Sequence, residues 1–457
     1  MKQQNIRKNR MKKTILGYFL AMALFPVIGC GGGQGSGSLL TPQTPAGSQG
    51  SQSHNYIGTQ SMDGGSHNGL LFQYGGTWAV TLDDATKYFS YQNIGHEGYE
   101  GETLFNVGNL PMPLPPAIPT VGAVAGSGFL NLTASSSGAA PGAAGYAIEI
   151  PGEAALVRPG NNTIAPVVSV ITNGCPNLKG NVTYQFIALG TPLLYDSNPH
   201  GAYGSVQASN SGTVWTFNNL NMHTFGGASL TPPPLPTGNC GYTQLGYAVS
   251  IAPSTATNGN TFTTAVSPNG FFVMDQGQGE IANASALSYP GGLSNTGLVG
   301  VEQPSTPLNT ANIVAGKYLG FEFDGVNLSL GRVGSMPVVF GQTAGSGTVM
   351  TGGAFPKDDV TQAAPSNITI DLGQQDSQSN GLYKNVTVTV PDVYGGCIGA
   401  PFGGVDAKGN PTCTFPGEAV IGNPGGKFAI FITVNDLSQA VSHYTADAAL
   451  DFFLYQQ

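Results

Sequence analysis

Residues 145–157 read GYAIEIPGEAALV and have the pattern of two short strands joined by a turn. Aromatic and β-branched residues occupy every second position from Tyr146 to Ile150, which is the spacing of a strand with two different faces. Pro151-Gly152 then supplies turn residues, and a second apolar run follows them. The stretch therefore predicts an antiparallel β-hairpin.

The same alternation recurs along the rest of the chain. It predicts another hairpin, formed by Thr77–Leu82 and Lys87–Tyr91 around a turn at Asp83–Thr86. The further predicted strands are Phe129–Thr133, Ala165–Thr172, Asn181–Leu189, Gly204–Ala208, Thr213–Phe217, Tyr242–Ile251, Thr261–Val266, Gly270–Asp275, Lys317–Phe323, Pro337–Gly341, Thr348–Thr351, Asn367–Leu372, Leu382–Val390, Glu418–Ile421, Lys427–Val434 and Ala449–Tyr455.

Composition favours the same fold class. The chain has 68 glycines and 32 prolines, and only 9% of its residues are charged, which is poor material for solvated helices. One or two helical turns are predicted at Asp436–His443, with Asn435 or Asp436 as the N-cap. We therefore expect an all-β protein of antiparallel strands and hairpins.

The architecture is less closely defined by the sequence. Two packed β domains, each a sandwich or a barrel, are predicted, and a single β-propeller-like domain is the alternative. No repeat of fixed period is visible, which counts against a regular propeller. The stretch Gly300–Pro307 has the composition of a link. The predicted domains are thus residues 55–304 and 305–457.

The N-terminus has the pattern of an export signal at residues 1–29. Six cations and no acids precede the apolar run Thr14–Ile28, which is shorter than the about twenty residues of a permanent membrane helix. Met1 and Met11 are both candidate start residues, because Met11 is itself followed by two lysines.

The apolar run ends in Val27-Ile28-Gly29-Cys30, which resembles the lipobox of bacterial lipoprotein precursors. The resemblance implies cleavage before Cys30 and fatty acylation of that cysteine, palmitate included. Gly31, by resemblance to the sorting pattern of enteric lipoproteins, implies the outer membrane, facing the periplasm or the cell surface. Residues 30–54 are rich in Gly, Ser, Gln and Thr and are predicted to be a flexible linker.

Charge excludes one class of partner. Cleavage before Cys30 would leave nine basic against 24 acidic residues, a net charge of −15. Such a chain repels phosphate backbones, so nucleic-acid binding is excluded. Attachment to a membrane is then expected through the N-terminal lipid alone.

Four cysteines remain after Cys30: Cys175, Cys240, Cys397 and Cys413. An even number in an exported chain favours two disulfides. Three connectivities are possible, and we expect sequential pairing, in which Cys397–Cys413 closes a loop rich in Gly and Pro. Zinc binding is the rival interpretation, but no Cys-x-x-Cys pair or neighbouring His supports it.

Motifs for catalysis and cofactors are missing from the sequence. It has no Gly-x-Ser-x-Gly elbow, no His-Glu-x-x-His, no phosphate loop and no dinucleotide fingerprint, so no cofactor is predicted. The densest polar group is His96, Glu97, Glu100 and Glu102, which could hold a hard cation or another ligand. An acidic surface loop is the simpler interpretation of these four residues.

A carbohydrate-active enzyme would need two carboxylates that the fold brings together. Glu149, Glu153, Glu322 and Asp324 lie in or beside predicted strands, but alternation places Glu322 on the outward face between two phenylalanines. Trp78 and Trp215 could stack sugar rings if they were exposed, although such residues more often fill a core.

The body resembles a group of uncharacterised proteobacterial surface lipoproteins. The resemblance is carried by Tyr56–Ser61, Trp78–Tyr91, Cys175–Leu189 and Lys317–Phe323. It implies no activity, because the function of that group is unknown. Our first hypothesis is a non-enzymatic, lipid-anchored binding or surface-structural module of the cell envelope, with an envelope polymer or a protein as partner. The alternative is a carbohydrate-active enzyme on an all-β scaffold.

Overall fold

A computed structural model describes the chain in segments, and Ser51–Gln457 form one compact unit. The described residues are 53–67, 70–83, 88–95, 118–124, 127–135, 142–159, 166–171, 181–188, 199–208, 214–224, 229–230, 237–242, 249–253, 262–275, 297–324, 334–341, 345–355, 359–362, 367–392, 403–434 and 450–457. The predicted all-β class is confirmed, since antiparallel strands make up nearly all of these segments.

The first sheet contains eight strands, each paired with the next along the chain except between the third and the fourth. The last strand returns to pair with the first, at Ile57↔Val170. In the described residues no pairing joins β3 to β4, so this sheet is open there. The strands are β1 Ser53–His67, β2 Leu70–Asp83, β3 Tyr88–Gly95, β4 Ile118–Ala123, β5 Leu130–Ser135, β6 Gly142–Ile150, β7 Ala154–Pro159 and β8 Val167–Ile171.

The second sheet repeats this plan and closes on itself. Eight long strands follow one another in sequence, and the last pairs with the first, at Val299↔Ile187. Its strands are β9 Val182–Ala188, β10 Pro199–Ala208, β11 Val214–Thr224, the short β12 Ser229–Leu230, β13 Thr237–Tyr242, β14 Val249–Pro253, β15 Phe262–Val266, β16 Phe271–Asp275 and β17 Gly297–Glu302.

The third sheet is a second closed ring of eight strands. Strand order again follows the sequence, and the last strand pairs with the first, at Phe321↔Phe453. The strands are β18 Tyr318–Asp324, β19 Gly334–Phe340, β20 Val349–Ala354, β21 Ile368–Asp371, β22 Leu382–Pro391, the short β23 Gly403–Val405, β24 Pro411–Gly422, β25 Ala429–Val434 and β26 Leu450–Gln456.

Each sheet has a seam where its first and last strands meet, and a glycine lies in every seam. A Cβ built on Gly300 would lie 1.9 Å from the backbone oxygen of Gln185, and one on Gly320 would lie 2.0 Å from that of Phe453. In the first sheet a Cβ on Gly58 would lie 2.6 Å from the Cβ of Ser169. Glycine therefore allows the strands to approach closely at all three seams.

The three sheets pack against one another around a shared central core. Ile57, Ile187 and Phe321, one residue from the first strand of each sheet, belong to one continuous cluster of buried side chains. The ring of Phe129 in the first sheet lies 5.8 Å from Phe321 in the third. The ring of Phe271 in the second sheet lies 6.4 Å from Phe431 in the third. The seams thus face inward, and burying them stabilises the arrangement.

The third sheet also encloses a core of its own. Its interior is filled by buried residues from its strands, among them Phe340 and Phe452, whose rings are 6.2 Å apart. The short helix α1, Thr310–Val314, adds Ile313 and Val314 to this interior. Its N-cap is Asn309, whose side chain accepts a hydrogen bond from the Ala311 N–H. The inner face of the first sheet has a smaller core that contains Trp78 and Phe89.

Some predicted elements are corrected by the structure. The stretch Gly300–Pro307 was predicted to be a link, but its first residues belong to strand β17, which closes the second sheet. The predicted strand Tyr242–Ile251 is two strands, since β13 ends at Tyr242 and β14 begins at Val249. Strand β1 begins at Ser53, inside the predicted linker. The predicted helical turns at Asp436–His443 lie outside the described residues.

Two packed β domains fit this arrangement, because the first two sheets precede residue 304 and the third follows it. The boundary at residue 305 stays a prediction. The described strands form meandering sheets of eight instead of the radial blades of a propeller. No helix in the described part of the chain is long and apolar enough to cross a membrane.

Candidate functional site

The predicted cation or ligand site lies outside the described residues. This holds for all of its members, His96, Glu97, Glu100 and Glu102, so the site stays a prediction. Among the residues that the structure does describe, no group of three or more His, Cys, Asp or Glu side chains is arranged to hold a metal ion.

The cysteines are described only in part. Cys30, Cys175 and Cys397 lie outside the described residues, and Cys240 is described only by its place in strand β13, opposite Ile251. Cys413 lies on strand β24, fully buried inside the third sheet, and pairs in register with Val390 and Gly403. The predicted pairing of the four cysteines is therefore not tested.

The predicted sugar-stacking role does not fit Trp78. This side chain is fully buried in the inner core of the first sheet, beside Val80 and Phe89. Trp215 is placed only by its backbone in strand β11, where it pairs with Gly238 and Ala208. A buried tryptophan cannot offer a ring face to a sugar, so the core interpretation of Trp78 is the correct one.

Two of the predicted carboxylates have hydrogen-bond partners that connect different parts of the fold. Glu149 on strand β6 accepts a hydrogen bond of 2.7 Å from the hydroxyl of Tyr56 on strand β1. Glu153, in the turn between β6 and β7, accepts 2.6 Å and 3.2 Å bonds from the side chain and backbone N–H of Asn269. Both carboxylates therefore have positioning contacts within the fold.

Glu322 lies on a different face from the one predicted. Alternation along β18 does separate it from Phe321 and Phe323, but those two rings pack in the central core. Glu322 is therefore on the inner face of the third sheet and only 4% exposed, instead of facing solvent. Asp324 is described only by its place at the end of β18, opposite Gly334 and Leu450.

The Glu153–Asn269 contact belongs to a junction of three equivalent turns, which we call the turn junction. Each sheet has a hairpin next to its seam with a proline and a left-handed glycine: Pro151-Gly152, Pro268-Asn269-Gly270 and Pro424-Gly425. A Cβ on Gly425 of the third sheet would lie 3.6 Å from the Asn269 side-chain nitrogen. Turns from all three sheets therefore meet at Asn269.

The electrostatics of the turn junction depend on burial. Burial raises the pKa of Glu153, and hydrogen bonds from Ser267 and Asn269 partly oppose this shift. Burial, followed by the negative charge of Glu153, raises the pKa of the Tyr455 hydroxyl to about 12. The hydrogen bonds of Glu153 to Asn269 join turns of two sheets, which are the contacts of a structural joint.

Carboxylates on the outside of the third sheet lie in turns. Asp359, Asp376 and Asp406 all accept backbone N–H groups two residues ahead. Hydrogen bonds from Thr361 and Asn410 lower the pKa values of Asp359 and Asp406. These aspartates therefore have the contacts of turn residues.

Sequence reasoning missed the residues that join the sheets. The three proline–glycine turns are visible in the sequence, but nothing in their local pattern predicts that the turns meet. Among the described residues, Val405 is the one exposed large hydrophobic side chain.

No protein-family description matches the chain. No curated protein is significantly similar to it.

Proposed function

We propose that the chain is a lipid-anchored cell-envelope protein, exported and acylated on Cys30, whose folded body is a surface-structural or binding module without catalytic activity. The shared core is the observation that supports a structural or binding role for the folded body. Three sheets converge through their seams on one cluster of buried side chains, and the third sheet is filled by its own core. This arrangement supports a stiff spacer or display body better than a ligand container.

The anchor is supported by the N-terminal pattern and by the place where the fold begins. Strand β1 starts at Ser53, a short distance after the lipobox and the Gly/Ser-rich residues that follow it. We propose that this stretch tethers the body to the outer membrane, on its periplasmic or surface side. The partner on the far side would be an envelope polymer or another protein.

Disulfides belong to the same proposal. An exported chain passes through an oxidising compartment, where Cys397–Cys413 would close the loop before strand β24. The burial of Cys413 inside the third sheet supports a sulfur that is protected from exchange. Cys175–Cys240 would be the second bridge.

Metabolic labelling with a fatty acid, combined with intact mass, tests the anchor in a native-type bacterial host. We expect the wild type to be cleaved before Cys30 and labelled, and Cys30→Ala to be unlabelled. Alkylation with and without reductant tests the bridges in the same samples, and we expect thiols at the other four cysteines only after reduction. An unlabelled wild type would contradict the anchor.

The absence of catalysis is tested separately. The alternative of a carbohydrate-active enzyme needs two facing carboxylates beside an exposed aromatic ring. Trp78 is buried, and Glu418 and Asp451, two described carboxylates on one face of the third sheet, are 3% and 0% exposed. Release of reducing sugar from envelope polysaccharides by the purified protein would overturn the non-enzymatic proposal, and we expect none.

A further inference from the structure

One end of the first sheet holds both the start of its first strand and its part of the turn junction. Strand β1 begins at Ser53, and Tyr56, near this start, pairs with Ile171. The Ile171 N–H donates a 2.8 Å hydrogen bond to the backbone oxygen of Glu153, which directly follows Pro151-Gly152. The chain therefore enters the folded body beside the turn junction.

The second sheet has the same polarity. The Glu302 N–H, at the end of β17, donates a 2.6 Å hydrogen bond to the backbone oxygen of Gly270 in the hairpin turn. The next residue, Gln303, donates a 2.8 Å bond to the backbone oxygen of Thr183 at the start of β9. The first strand of the second sheet therefore also begins beside its part of the turn junction.

The third sheet repeats this arrangement. The Gln456 N–H, at the end of β26, donates a 2.8 Å hydrogen bond to the backbone oxygen of Phe428, which follows the Pro424-Gly425 turn. The Gln457 N–H donates a 2.8 Å bond to the backbone oxygen of Lys317, just before β18. All three first strands thus start at the end of the body that holds the turn junction, which we call the turn end.

The opposite end of the body, the far end, includes an exposed hairpin of the third sheet. Strand β24 leads into the turn of that sheet at the turn end, so the turn before it, Asp406–Asn410, lies at the far end. Oδ1 of Asp406 accepts 2.8 Å hydrogen bonds from the N–H groups of Lys408 and Asn410. The neighbouring Val405 is 69% exposed. The far end thus has a described hairpin that projects into solvent.

The turn end is balanced in charge although the chain as a whole is acidic. Its described connections between strands carry two acids, Glu153 and Asp376, and two lysines, Lys317 and Lys427. Asp376 also forms a 2.6 Å salt bridge with Lys384. By contrast, the predicted mature chain has nine basic against 24 acidic residues. The turn end can therefore approach anionic lipid headgroups with less repulsion than the body as a whole.

The predicted tether reaches less far than the body is tall. Residues 31–52 separate Cys30 from the start of β1, and a flexible chain of this length has an r.m.s. end-to-end distance of about 25 Å. Strand β24 has 12 residues, which is roughly 40 Å along the strand and about 30 Å along the axis of a closed ring. The tether would therefore hold the turn end nearer to the membrane than the far end.

We propose that the turn end is the surface of the body that faces the membrane and meets lipid headgroups, and that the far end points away from it. This inference rests on the proposed lipid anchor at Cys30 and adds the orientation of the body. The hydrogen-bonded turns of all three sheets form the membrane-facing surface. The hairpin at Asp406–Asn410 is presented on the side of the partner.

Three glycines give matched reporter positions for this orientation. Gly152 and Gly426 lie at the turn end and Gly409 at the far end, and their φ values are 76°, 85° and 83°. A Cβ at any of the three would meet nothing within 4 Å. Gly152→Trp, Gly426→Trp and Gly409→Trp therefore place an indole ring in open space at a similar cost in backbone strain.

Quenching by a headgroup label measures which end lies closer to the lipid. The acylated protein is reconstituted in vesicles of phosphatidylethanolamine and phosphatidylglycerol that contain a lipid with a nitroxide on its headgroup, and wild-type fluorescence is subtracted. We expect quenching at Gly152→Trp and Gly426→Trp to exceed that at Gly409→Trp at least about threefold, because a body about 30 Å tall keeps the far end away from the nitroxide. Equal quenching, or stronger quenching at Gly409→Trp, would overturn the orientation.

A second pair of variants covers the case in which a glycine variant does not fold. Lys427→Trp and Lys408→Trp replace exposed lysines, one at each end, and we expect the same ranking. Intact mass of the same samples separates this proposal from the anchor. An acylated protein that is quenched equally at both ends contradicts the orientation alone, whereas an unacylated protein contradicts the anchor and the orientation with it. We expect Cys30→Ala to abolish quenching at both ends.

Discussion

The first and third sheets share one plan but differ in how completely they close. In the third sheet strands β22 and β24 pair, so that eight strands form a ring. In the described part of the first sheet β3 and β4 do not pair. Both sheets nevertheless pair their last strand with their first, and both turn that seam toward the central core. Packing of a sheet against the central core therefore needs a paired seam between its first and last strands, but it does not need a closed ring.

The interior of the third sheet is also more completely filled than the inner face of the first sheet. The third sheet surrounds a large cluster of buried side chains that helix α1 extends. The inner face of the first sheet has a smaller cluster around Trp78. A side chain inside a closed ring has packed neighbours on every side, whereas the first sheet can relax where it is open.

Removing an inner ring should cost more in the third sheet than in the first. We expect Phe452→Ala to lower the free energy of unfolding by about 4 kcal/mol, since the ring is fully buried against Phe340. Phe89→Ala, on strand β3 at the open edge, should cost about 2–3 kcal/mol because the site can partly collapse. Urea unfolding measures both, and equal losses would contradict the contrast.

Substituting the seam glycines should lower the free energy of unfolding by a smaller amount, which increases as the contact at the new Cβ becomes closer. A Cβ at Gly320 would lie 2.0 Å from a backbone oxygen, so Gly320→Ala should cost about 3 kcal/mol. At Gly58 the nearest atom is at 2.6 Å, and we expect about 1–2 kcal/mol there.

Gly409→Ala is the matched control for the seam glycines, since its Cβ would meet nothing within 4 Å. Its φ of 83° leaves only backbone strain, about 1 kcal/mol. Thermal unfolding would rank the three variants, and a control as damaging as Gly320→Ala would refute a seam-specific role.

The helix that extends the third interior should contribute about 1 kcal/mol through its cap. Asn309→Ala removes the side-chain acceptor of the Ala311 N–H. We expect faster amide exchange at Ile313 and Val314 and no change in the first sheet. Asn312→Ala, on the exposed side of the same helix, should leave exchange unchanged. If both variants behave alike, the cap is not the cause.

The smallest effect should be the pH dependence of the turn junction. Burial raises the pKa of Glu153, so the folded chain holds this proton more tightly than the unfolded chain. Its contribution therefore favours folding at acid pH and is lost as pH rises through the raised pKa. Glu153→Gln should flatten this part of the profile of urea midpoint against pH, at pH values above the ordinary carboxyl pKa of 4.5.

Asp359→Asn is the comparison variant, because the pKa of Asp359 shifts in the opposite direction to that of Glu153. Hydrogen bonds from Thr361 and Gln362 lower the pKa of Asp359, so its contribution is present above its ordinary pKa and is lost as pH falls. If Glu153→Gln and Asp359→Asn shift the pH profile in the same direction, the electrostatic account of the turn junction is wrong.

Local patterns predicted most strands but could not show how the sheets close. The hairpin at residues 145–157 was found because its alternation and its turn agree. Strand β17 was missed because Gly300 interrupts the alternation. The structure shows why a glycine is needed there, since Gln185 of the neighbouring strand passes too close for any side chain. Close approach between distant strands is invisible in a local pattern.

Alternation also identifies faces without saying which face meets water. The alternation correctly placed Glu322 and Phe321 on opposite faces of the strand. The phenylalanine face is the outer face of the third sheet, but it is buried because it packs against the other two sheets. The junction of Glu153 with Asn269 joins residues far apart in the chain, and nothing at either position predicts the other. The candidate site was therefore only partly accessible to sequence reasoning, whereas the fold class was fully accessible.

The three sheets are expected to unfold as one body, because they share a core. Hydrogen exchange with mass spectrometry, measured on the full chain over a series of urea concentrations, tests this expectation. We predict that peptides from β7, β16 and β25 converge on one opening free energy as urea rises. Three separate free energies that never converge would show that the sheets unfold independently, and would contradict the shared core.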